Sequence, residues 1–224
     1  MAAPHRRYGD PCGIARALDV VGERWAVLVV RELMFGPRRF GQIADGLPGL
    51  SPNVLSQRLR ELEADGLVRR STLPPPASVA VYELTERGRA LEPVLVELGR
   101  WGSATPRSTT RDLSPAAILF SLRTLFDPSV GGRVTYGLQL AGEWYGVEVD
   151  GPTIRVTRGR PAGAVASLST DVATLRQVTM LGTKVRNAEQ SGRLIVEGDR
   201  RAAARFPKYF RRPQPAPAGT AAAG

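Results

Sequence analysis

Four polar side chains near the middle of the first half of the chain have the hydrogen-bonding groups that recognise DNA bases. If residues 51–70, SPNVLSQRLRELEADGLVRR, begin with a helix, Asn53, Gln57 and Arg60 share one face and Ser56 lies beside them. Amide and guanidinium groups match the donors and acceptors that base edges present in the major groove. An ordinary solvated helix can carry the same residue types. These side chains alone therefore leave DNA reading and plain solvation as alternatives.

The element that must hold these side chains is a helix over residues 52–65. Ser51 is a favourable N-cap because its hydroxyl can accept from the free amides of the first turn, and Pro52 is tolerated at the first helical position. Gly66 can adopt the left-handed conformation that ends a helix. The apolar stripe opposite the polar face consists of Leu55, Leu59 and Leu62. This pattern predicts that the helix buries its leucines and exposes its polar residues.

The flanking segments make this helix part of a larger motif. Residues 39–46 (RFGQIADG) predict a second short helix, and the Pro-Gly pair at 48–49 predicts a tight turn between the two helices. Downstream, residues 67–70 (LVRR) and 79–85 (VAVYELT) have strand-like composition and predict a hairpin. A helix-turn-helix followed by a basic hairpin is a winged helix-turn-helix. The motif predicts phosphate contacts from Arg38, Arg39, Ser51, Arg69 and Arg70.

On these residues the chain resembles the HxlR family of winged helix-turn-helix transcriptional regulators. The matching segments follow in order within the first 102 residues: CGIARALDVVGERW (12–25), VVRELMFGPRRFGQI (29–43), residues 47–70 and YELTERGRALEPVLVELGRWG (82–102). The family pattern has Cys-Pro near its N-terminus, whereas this chain has Cys12-Gly13. The resemblance implies a homodimer that binds double-stranded DNA through a recognition helix and a wing, and it implies no enzymatic activity.

The net charge of the whole chain is weaker evidence for DNA binding than its size suggests. The formal net charge is +10, but residues 1–105 hold 14 basic and 12 acidic side chains. The remaining residues hold 17 basic and 9 acidic side chains, and six of the basic ones lie in residues 200–212. A basic excess favours nucleic-acid binding in general. Because the winged-helix half is nearly neutral, the prediction depends on individual arginines. The cluster at 200–212 is interpreted as a solvated helix face, with weak phosphate or membrane-surface contact as the alternative.

Several other classes of protein are disfavoured by what the sequence lacks. His5 is the only histidine and Cys12 the only cysteine, so histidine-based triads, metal clusters and an intramolecular disulfide are excluded. No glycine motif for phosphates is found, and we expect no cofactor. No apolar run approaches the ~20 residues needed to span a bilayer. We find no secretory signal pattern and expect a cytoplasmic protein without membrane insertion.

The rest of the first domain is predicted to form scaffold and a dimer interface. Residues 14–21 and 24–34 predict two helices, the second with Trp25, Leu28, Val29 and Leu33 on its buried side. Thr85 can cap a long helix that runs to Trp101, with an apolar stripe of Leu91, Val94, Leu95 and Leu98. Little of this small domain remains to cover that stripe. An identical helix of a partner subunit is therefore the expected cover.

The fold class changes after a polar segment at residues 103–112 (SATPRSTTRD), which we interpret as a linker between domains 1–102 and 113–210. A capped helix starts at Ser114-Pro115. Strand-like runs follow at 134–140, 144–149, 153–158 and 164–169, then helices at 171–181 and 184–190, a strand at 193–198 and a helix at 199–210. This order predicts an α+β domain with an antiparallel sheet covered by helices. Residues 211–224 lack core-forming side chains and are predicted to be disordered.

The second domain resembles the sterol-carrier-protein fold, on a shorter motif. The residues that carry the resemblance are the alternating strands, then Ser191-Gly192-Arg193-Leu194 and residues 196–199 (VEGD). Members of that fold hold apolar ligands between sheet and helices, which implies a pocket for an apolar effector. Its candidate lining residues are Trp144, Tyr145, Val178 and Met180. These residues could equally fill the core of a ligand-free dimerisation module.

The resulting functional prediction is a bacterial transcriptional regulator, most simply a repressor that binds an inverted-repeat operator as a homodimer. The alternative is a lipid or sterol carrier with a secondary DNA-binding module. A further hypothesis concerns Cys12, because some relatives of this family sense oxidants or electrophiles through a cysteine near this position. The competing interpretation is that Cys12 is a small apolar residue packed at the edge of the domain.

Overall fold

The structure is a computed structural model that describes residues 8–105 and 112–211. It divides the chain into two compact units, Met1–Leu95 and Val96–Gly224. His5, residues 106–111 of the predicted linker and residues 212–224 of the predicted tail lie outside the described residues. Arg211, the first residue of the predicted tail, is held in place because its Nε lies 2.8 Å from Asp127 Oδ2.

The first unit contains the predicted helix-turn-helix and hairpin. Its elements are α1 (Gly13–Val21), α2 (Ala26–Leu33), α3 (Phe40–Gly46), α4 (Pro52–Ala64), β1 (Val68–Thr72), β2 (Ala80–Leu84) and α5 (Glu86–Arg89), and α6 (Glu92–Ser103) continues into the second unit. β1 and β2 pair antiparallel. The core is built from apolar side chains of α2, α3 and α4 and of the hairpin, including Val29, Leu33, Ile43, Leu55, Leu59 and Leu84. The predicted fold of this half is therefore confirmed.

Helix α2 begins two residues later than the sequence predicts. Trp25 has a φ of 80°, a left-handed conformation that a helix cannot include, so the helix starts at Ala26. The predicted burial is also partly wrong. Val29 and Leu33 are buried, but Trp25 is only half-buried and Leu28 is 37% exposed.

The predicted long helix from residue 85 to 101 is wrong, because two helices, α5 and α6, occupy this segment. Pro93 lies at the second position of α6 and has no N–H to donate to the carbonyl of Arg89, so a continuous helix would lose a backbone hydrogen bond there. Thr85 does cap α5, as its hydroxyl accepts from Gly88 N at 3.1 Å. The apolar stripe survives on α6, where Val94 is 60% and Leu98 50% exposed.

The second unit consists of a five-stranded sheet with helices. Its elements are α7 (Pro115–Thr124), β3 (Arg133–Leu140), β4 (Glu143–Asp150), β5 (Thr153–Arg158), β6 (Ala166–Thr170), α8 (Val172–Met180), α9 (Val185–Gln190), β7 (Leu194–Gly198), α10 (Arg200–Arg205) and a 3-10 turn (Phe206–Tyr209). The strand order is β5-β4-β3-β6-β7. The predicted α+β class is confirmed, but the sheet is mixed rather than antiparallel because β3 and β6 run parallel.

One face of this sheet carries the core of the second unit. Tyr136 on β3 is 1% exposed, and its ring packs edge-on against Phe206 with centroids 5.0 Å apart. The Tyr136 hydroxyl donates to Ala202 O at 3.1 Å. A buried tyrosine needs such a partner because an unpaired hydroxyl in an apolar core is costly. The alternation along β3 therefore directs its aromatic side chain toward α10 and the following turn.

Candidate nucleic-acid interface

Helix α4 has the local geometry that its sequence predicts. Ser51 Oγ accepts from Val54 N at 3.4 Å, and Gly66 follows the helix with a φ of 71°, which glycine adopts without strain. Three leucines anchor the inner side, and each is at most 1% exposed: Leu55, Leu59 and Leu62. Burial of these side chains stabilises the helix by about 1.5–3 kcal/mol each. The outer face is thereby held in solvent.

All four predicted base-reading residues lie on that exposed face, namely Asn53, Ser56, Gln57 and Arg60. Two of them are engaged with their own helix. Gln57 Nε2 donates to Glu61 Oε1 at 3.0 Å, and Arg60 Nε donates to Ser56 O at 3.3 Å. The hydrogen bond to Ser56 uses Nε and not the terminal guanidinium nitrogens of Arg60. The face thus presents an amide and a guanidinium in defined orientations.

Arg58, on the opposite side of α4, forms a network that sequence reasoning missed. Its side chain is only 10% exposed, and its Nη1 lies 2.6 Å from Glu61 Oε2 and 3.3 Å from Glu23 Oε2. The spacing of three residues between Arg58 and Glu61 is visible in the sequence. The contact to Glu23, in the turn between α1 and α2, depends on tertiary structure. This network links α4 to the turn through a nearly buried arginine and a half-exposed glutamate.

Helix α3 is packed closely against α2, at a second site that the sequence did not reveal. Glu32 on α2 is buried, and Arg31 Nη2 donates to its Oε1 at 2.6 Å. A Cβ on Gly46 would overlap the Glu32 carboxylate, so a larger residue at this position would require the Glu32 side chain to move. Helices α2 and α3 therefore approach each other closely where Gly46 faces the buried Glu32 carboxylate.

Two arginines lie on either side of Tyr82 in the wing. In the β1–β2 hairpin Arg70 pairs with Tyr82, and the Arg70 guanidinium carbon lies 6.0 Å from the centre of that ring. On the other side, Arg38 and Tyr82 exchange two backbone hydrogen bonds, of 2.9 and 2.8 Å. Residues directly opposite each other in a pair project to the same face. Arg38 and Arg70 therefore flank Tyr82 on one face of the wing.

Arg69 belongs to the other face of the wing, because successive strand residues alternate. Its Nε lies 3.0 Å from Glu83 Oε1. Burial on its own raises the pKa of the Glu83 carboxyl, but hydrogen bonds from Ser71 and Arg69 together lower this pKa below its usual value. Glu83 is therefore ionised and occupies one donor of Arg69. The remaining predicted phosphate contact, Arg39, is exposed at the start of α3.

Cys12 is an exposed free thiol immediately before α1. Its backbone N–H donates to Asp10 Oδ1 at 2.8 Å. Gly13, the next residue, lines a surface cleft of about 560 Å³ in the first unit, together with Arg16, Asp65 and Leu91. Sequence reasoning did not anticipate this cleft, because its walls come from segments far apart in the chain.

The four residues predicted to line a pocket in the second unit are not equivalent. Tyr145 and Val178 are each 1% exposed and belong to the core. Trp144 is adjacent to Tyr145 on β4 and therefore projects from the opposite face of the sheet, where its ring lies 4.5 Å from the Arg160 guanidinium carbon. Met180 is half-buried at the end of α8. The strand separates Trp144 from Tyr145, so the two cannot line one cavity on the same face.

Two further features concern membrane crossing and metal binding by the described part of the chain. Across residues 8–105 and 112–211, no helix combines the length and the apolar character that a membrane crossing requires. Within the same residues, no three side chains of the histidine, cysteine, aspartate or glutamate type gather where they could hold a metal ion.

The fold and site of the first unit are those of a helix-turn-helix DNA-binding regulator with a wing. Comparison with known proteins identifies the family: the HxlR-like helix-turn-helix family matches residues 20–109. An HTH-type transcriptional regulator of Synechocystis sp., sll1512, is 41% identical over 102 residues, which cover 46% of this chain and 76% of that protein. The chain therefore belongs to the HxlR-like family.

A curated relative from Bacillus subtilis agrees with this assignment. The HTH-type transcriptional regulator YodB is 40% identical over 85 residues, which cover 38% of this chain and 76% of that protein. A solved structure of the reduced form of YodB covers 42% of this chain and 93% of its own, at 37% identity and a TM-score of 0.38. The family match ends at residue 109. The resemblance of the second unit to the sterol-carrier-protein fold therefore stays a prediction.

Proposed function

We propose that this protein represses transcription by binding an inverted-repeat operator as a homodimer. The observation that carries this proposal is the exposed polar face of α4, held outward by its buried leucines. In this proposal the face enters the major groove, where Asn53, Gln57 and Arg60 read bases and Ser56 assists. A dimer bound near a promoter would block access of the polymerase.

The phosphate contacts in this proposal come from two places. Arg38 and Arg70 share one face of the wing with Tyr82, and Arg69 lies on the other face beside Glu83. Arg39 is exposed at the start of α3, and Ser51 is exposed at the start of α4. Such contacts fix the register of the protein on DNA but carry no sequence information.

The proposed dimer uses the exposed apolar side chains of α6. Val94, Leu98 and Trp101 are spaced by four and three residues, and Trp101 is 75% exposed. Side chains at this spacing share one helical face. We expect an identical helix to cover this face, and sedimentation of a monomer at micromolar concentration would contradict this.

The experiment that tests the proposal most fully is selection of bound sites from random DNA. We expect an inverted repeat with half-sites ~10 bp apart, or a multiple of that distance. The variant Gln57→Ala should lose the preference at one position in each half-site. Glu63→Gln, a change of an exposed residue on the same helix, serves as the matched control and should select the wild-type site. Selection of unrelated sequences without symmetry would disprove the proposal.

We further propose that an apolar effector acts on the second unit, with Tyr145, Val178 and Met180 as the side chains it would contact. Because Tyr145 and Val178 are buried, such a ligand must open the core to enter. Coupling requires that ligand and DNA change each other's affinity by the same factor. Operator affinity measured with and without saturating palmitate tests this. Unchanged affinity despite measured palmitate binding would favour the alternative, a lipid carrier with a secondary DNA-binding module.

The exposure of Cys12 favours a second regulatory proposal, that modification of this thiol releases DNA. Wild-type protein treated with diamide or a quinone should lose operator binding, and Cys12→Ser should bind DNA and resist both reagents. If Cys12→Ser binds normally and still releases DNA on treatment, the thiol has no sensing role.

A further inference from the structure

A side-chain network on α4 restricts what the base-reading Gln57 can present to DNA. The Gln57 amide is exposed, and its Nε2 donates to Glu61 Oε1, one helical turn further on, at 3.0 Å. A carboxylate can only accept hydrogen bonds. The NH₂ group must therefore face Glu61, because the amide oxygen would be repelled there.

Glu61 is held more firmly than a glutamate on a solvated helix. Its other oxygen, Oε2, lies 2.6 Å from Arg58 Nη1, and its side chain is only 22% exposed. The same Arg58 nitrogen lies 3.3 Å from Glu23 Oε2 in the turn between α1 and α2. The carboxylate that orients Gln57 is thus anchored to a nearly buried guanidinium, which is in turn anchored to a second element.

This orientation has a consequence for base recognition. Glu61 occupies one N–H of the Gln57 amide, which leaves one N–H and the amide oxygen for DNA. One donor beside one acceptor matches the N7 and N6 amino group of adenine. Guanine presents two acceptors at the same edge, N7 and O6, and would need two donors. The available pattern therefore accepts adenine and disfavours guanine.

We propose that Glu61 is a specificity-determining positioning residue, which makes Gln57 select adenine by holding its amide in one orientation. This inference rests on the proposed function, in which Gln57 reads a base. Arg60 provides an internal comparison, since its contact to Ser56 O uses only Nε. Its terminal nitrogens face no such restriction, so the preference at the Arg60 position should not depend on Glu61.

The test compares adenine and guanine at the operator position where Gln57→Ala loses its preference. Wild-type protein should prefer adenine by about 5- to 150-fold, the range of one bidentate base contact. In Glu61→Gln the amide is free to turn, so this preference should fall by about 2- to 12-fold, the discrimination that one neutral hydrogen bond supplies. Glu63→Gln should keep the full preference. In a Gln57→Ala background, Glu61→Gln should change nothing at this position.

Because Glu61→Gln also removes one of the two carboxylate partners of Arg58, a second measurement uses the unchanged protein. Wild-type protein is titrated with operators in which the adenine is replaced by 7-deaza-adenine or by purine, which lack N7 and the N6 amino group respectively. Each replacement should weaken binding about 2- to 12-fold, as expected for one hydrogen bond. This inference would be overturned if neither analogue weakened binding by the wild-type protein. It would also be overturned if folded Glu61→Gln kept the full adenine preference. If Gln57→Ala alters no base preference at all, the proposed function fails instead.

Discussion

Three arginines of the proposed DNA interface differ in their partners from many arginines of the second unit. The arginines of the second unit that lie beside carboxylates, at up to 3.9 Å, include Arg100, Arg133, Arg158, Arg160, Arg176, Arg200 and Arg211. In the first unit Arg39, Arg60 and Arg70 of the proposed interface contact no carboxylate within the described residues. The half with the larger basic excess thus neutralises many of its own charges. Net charge is therefore a poor guide to the DNA-binding surface, and the local environment of each guanidinium is a better one.

The largest effect we predict is a loss of stability in the second unit, caused by truncating a buried aromatic side chain. Phe206 is fully buried against Tyr136 and Phe210. Phe206→Ala should destabilise the second unit by about 3–5 kcal/mol through lost contacts and a cavity. Thermal unfolding followed by circular dichroism measures this. Leu181→Ala, at a residue that is 57% exposed, is the matched control and should change stability by less than about 0.5 kcal/mol.

The same variant tests whether the two units have separate roles. Below the temperature at which Phe206→Ala unfolds, its affinity for the operator should equal that of the wild type. A weaker operator affinity in the folded variant would mean that the second unit influences DNA binding.

The next effect concerns base reading by α4. Gln57→Ala or Arg60→Ala should each cost about 1–3 kcal/mol of discrimination between the operator and a scrambled sequence. Arg158→Ala removes an arginine that is paired with Glu143 in the second unit, and it should leave this discrimination unchanged. Fluorescence anisotropy with both DNAs measures the ratio. Equal loss of specific and random binding in the α4 variants would contradict their role as base readers.

The wing should produce a smaller and sequence-independent effect. Arg70→Ala removes one proposed phosphate contact, so it should weaken binding to all sequences alike. The slope of log affinity against log salt should become shallower by about 0.9. An unchanged slope would place Arg70 outside the interface, and the cation–aromatic contact with Tyr82 would then be its main role.

The smallest effect concerns the carboxylate that occupies Arg69. Glu83→Gln removes a negative charge and loosens Arg69, so affinity for random DNA should rise a fewfold. Its effect on stability should be within about 1 kcal/mol, since the pair is partly exposed. Because the folded pKa of Glu83 is lowered, its stabilising contribution is present above the usual carboxyl pKa and is lost as pH falls through the folded value. Unfolding of the two proteins at several pH values should show this difference.

Local signals were sufficient for the elements that carry the proposed function. The serine before α4, the proline at its first position and the spacing of its leucines predicted its start and its buried side, which the structure confirms, and the glycine after it predicted its end to within one residue. The same kind of signal placed the hairpin and most elements of the second unit. Each of these features depends on residues a few positions apart, whose interactions follow from backbone geometry.

Predictions failed where one residue interrupted a segment whose apolar spacing indicated a helix. They also failed where segments far apart in the chain pair with each other. Pro93 interrupts a run whose apolar spacing predicted one helix, and Trp25 delays the start of α2. The parallel pairing of β3 with β6 brings together strands separated by two others, which composition does not encode.

What the sequence determined by itself is the polar face of α4 and the family to which the first unit belongs. What only the tertiary structure decided is which residues from distant segments lie together: Glu23 pairs with Arg58, Arg38 pairs with Tyr82 through the backbone, and Glu83 pairs with Arg69. The physical reason is that helical periodicity is a property of neighbouring residues. The orientation and charge state of a side chain depend instead on groups brought together by packing.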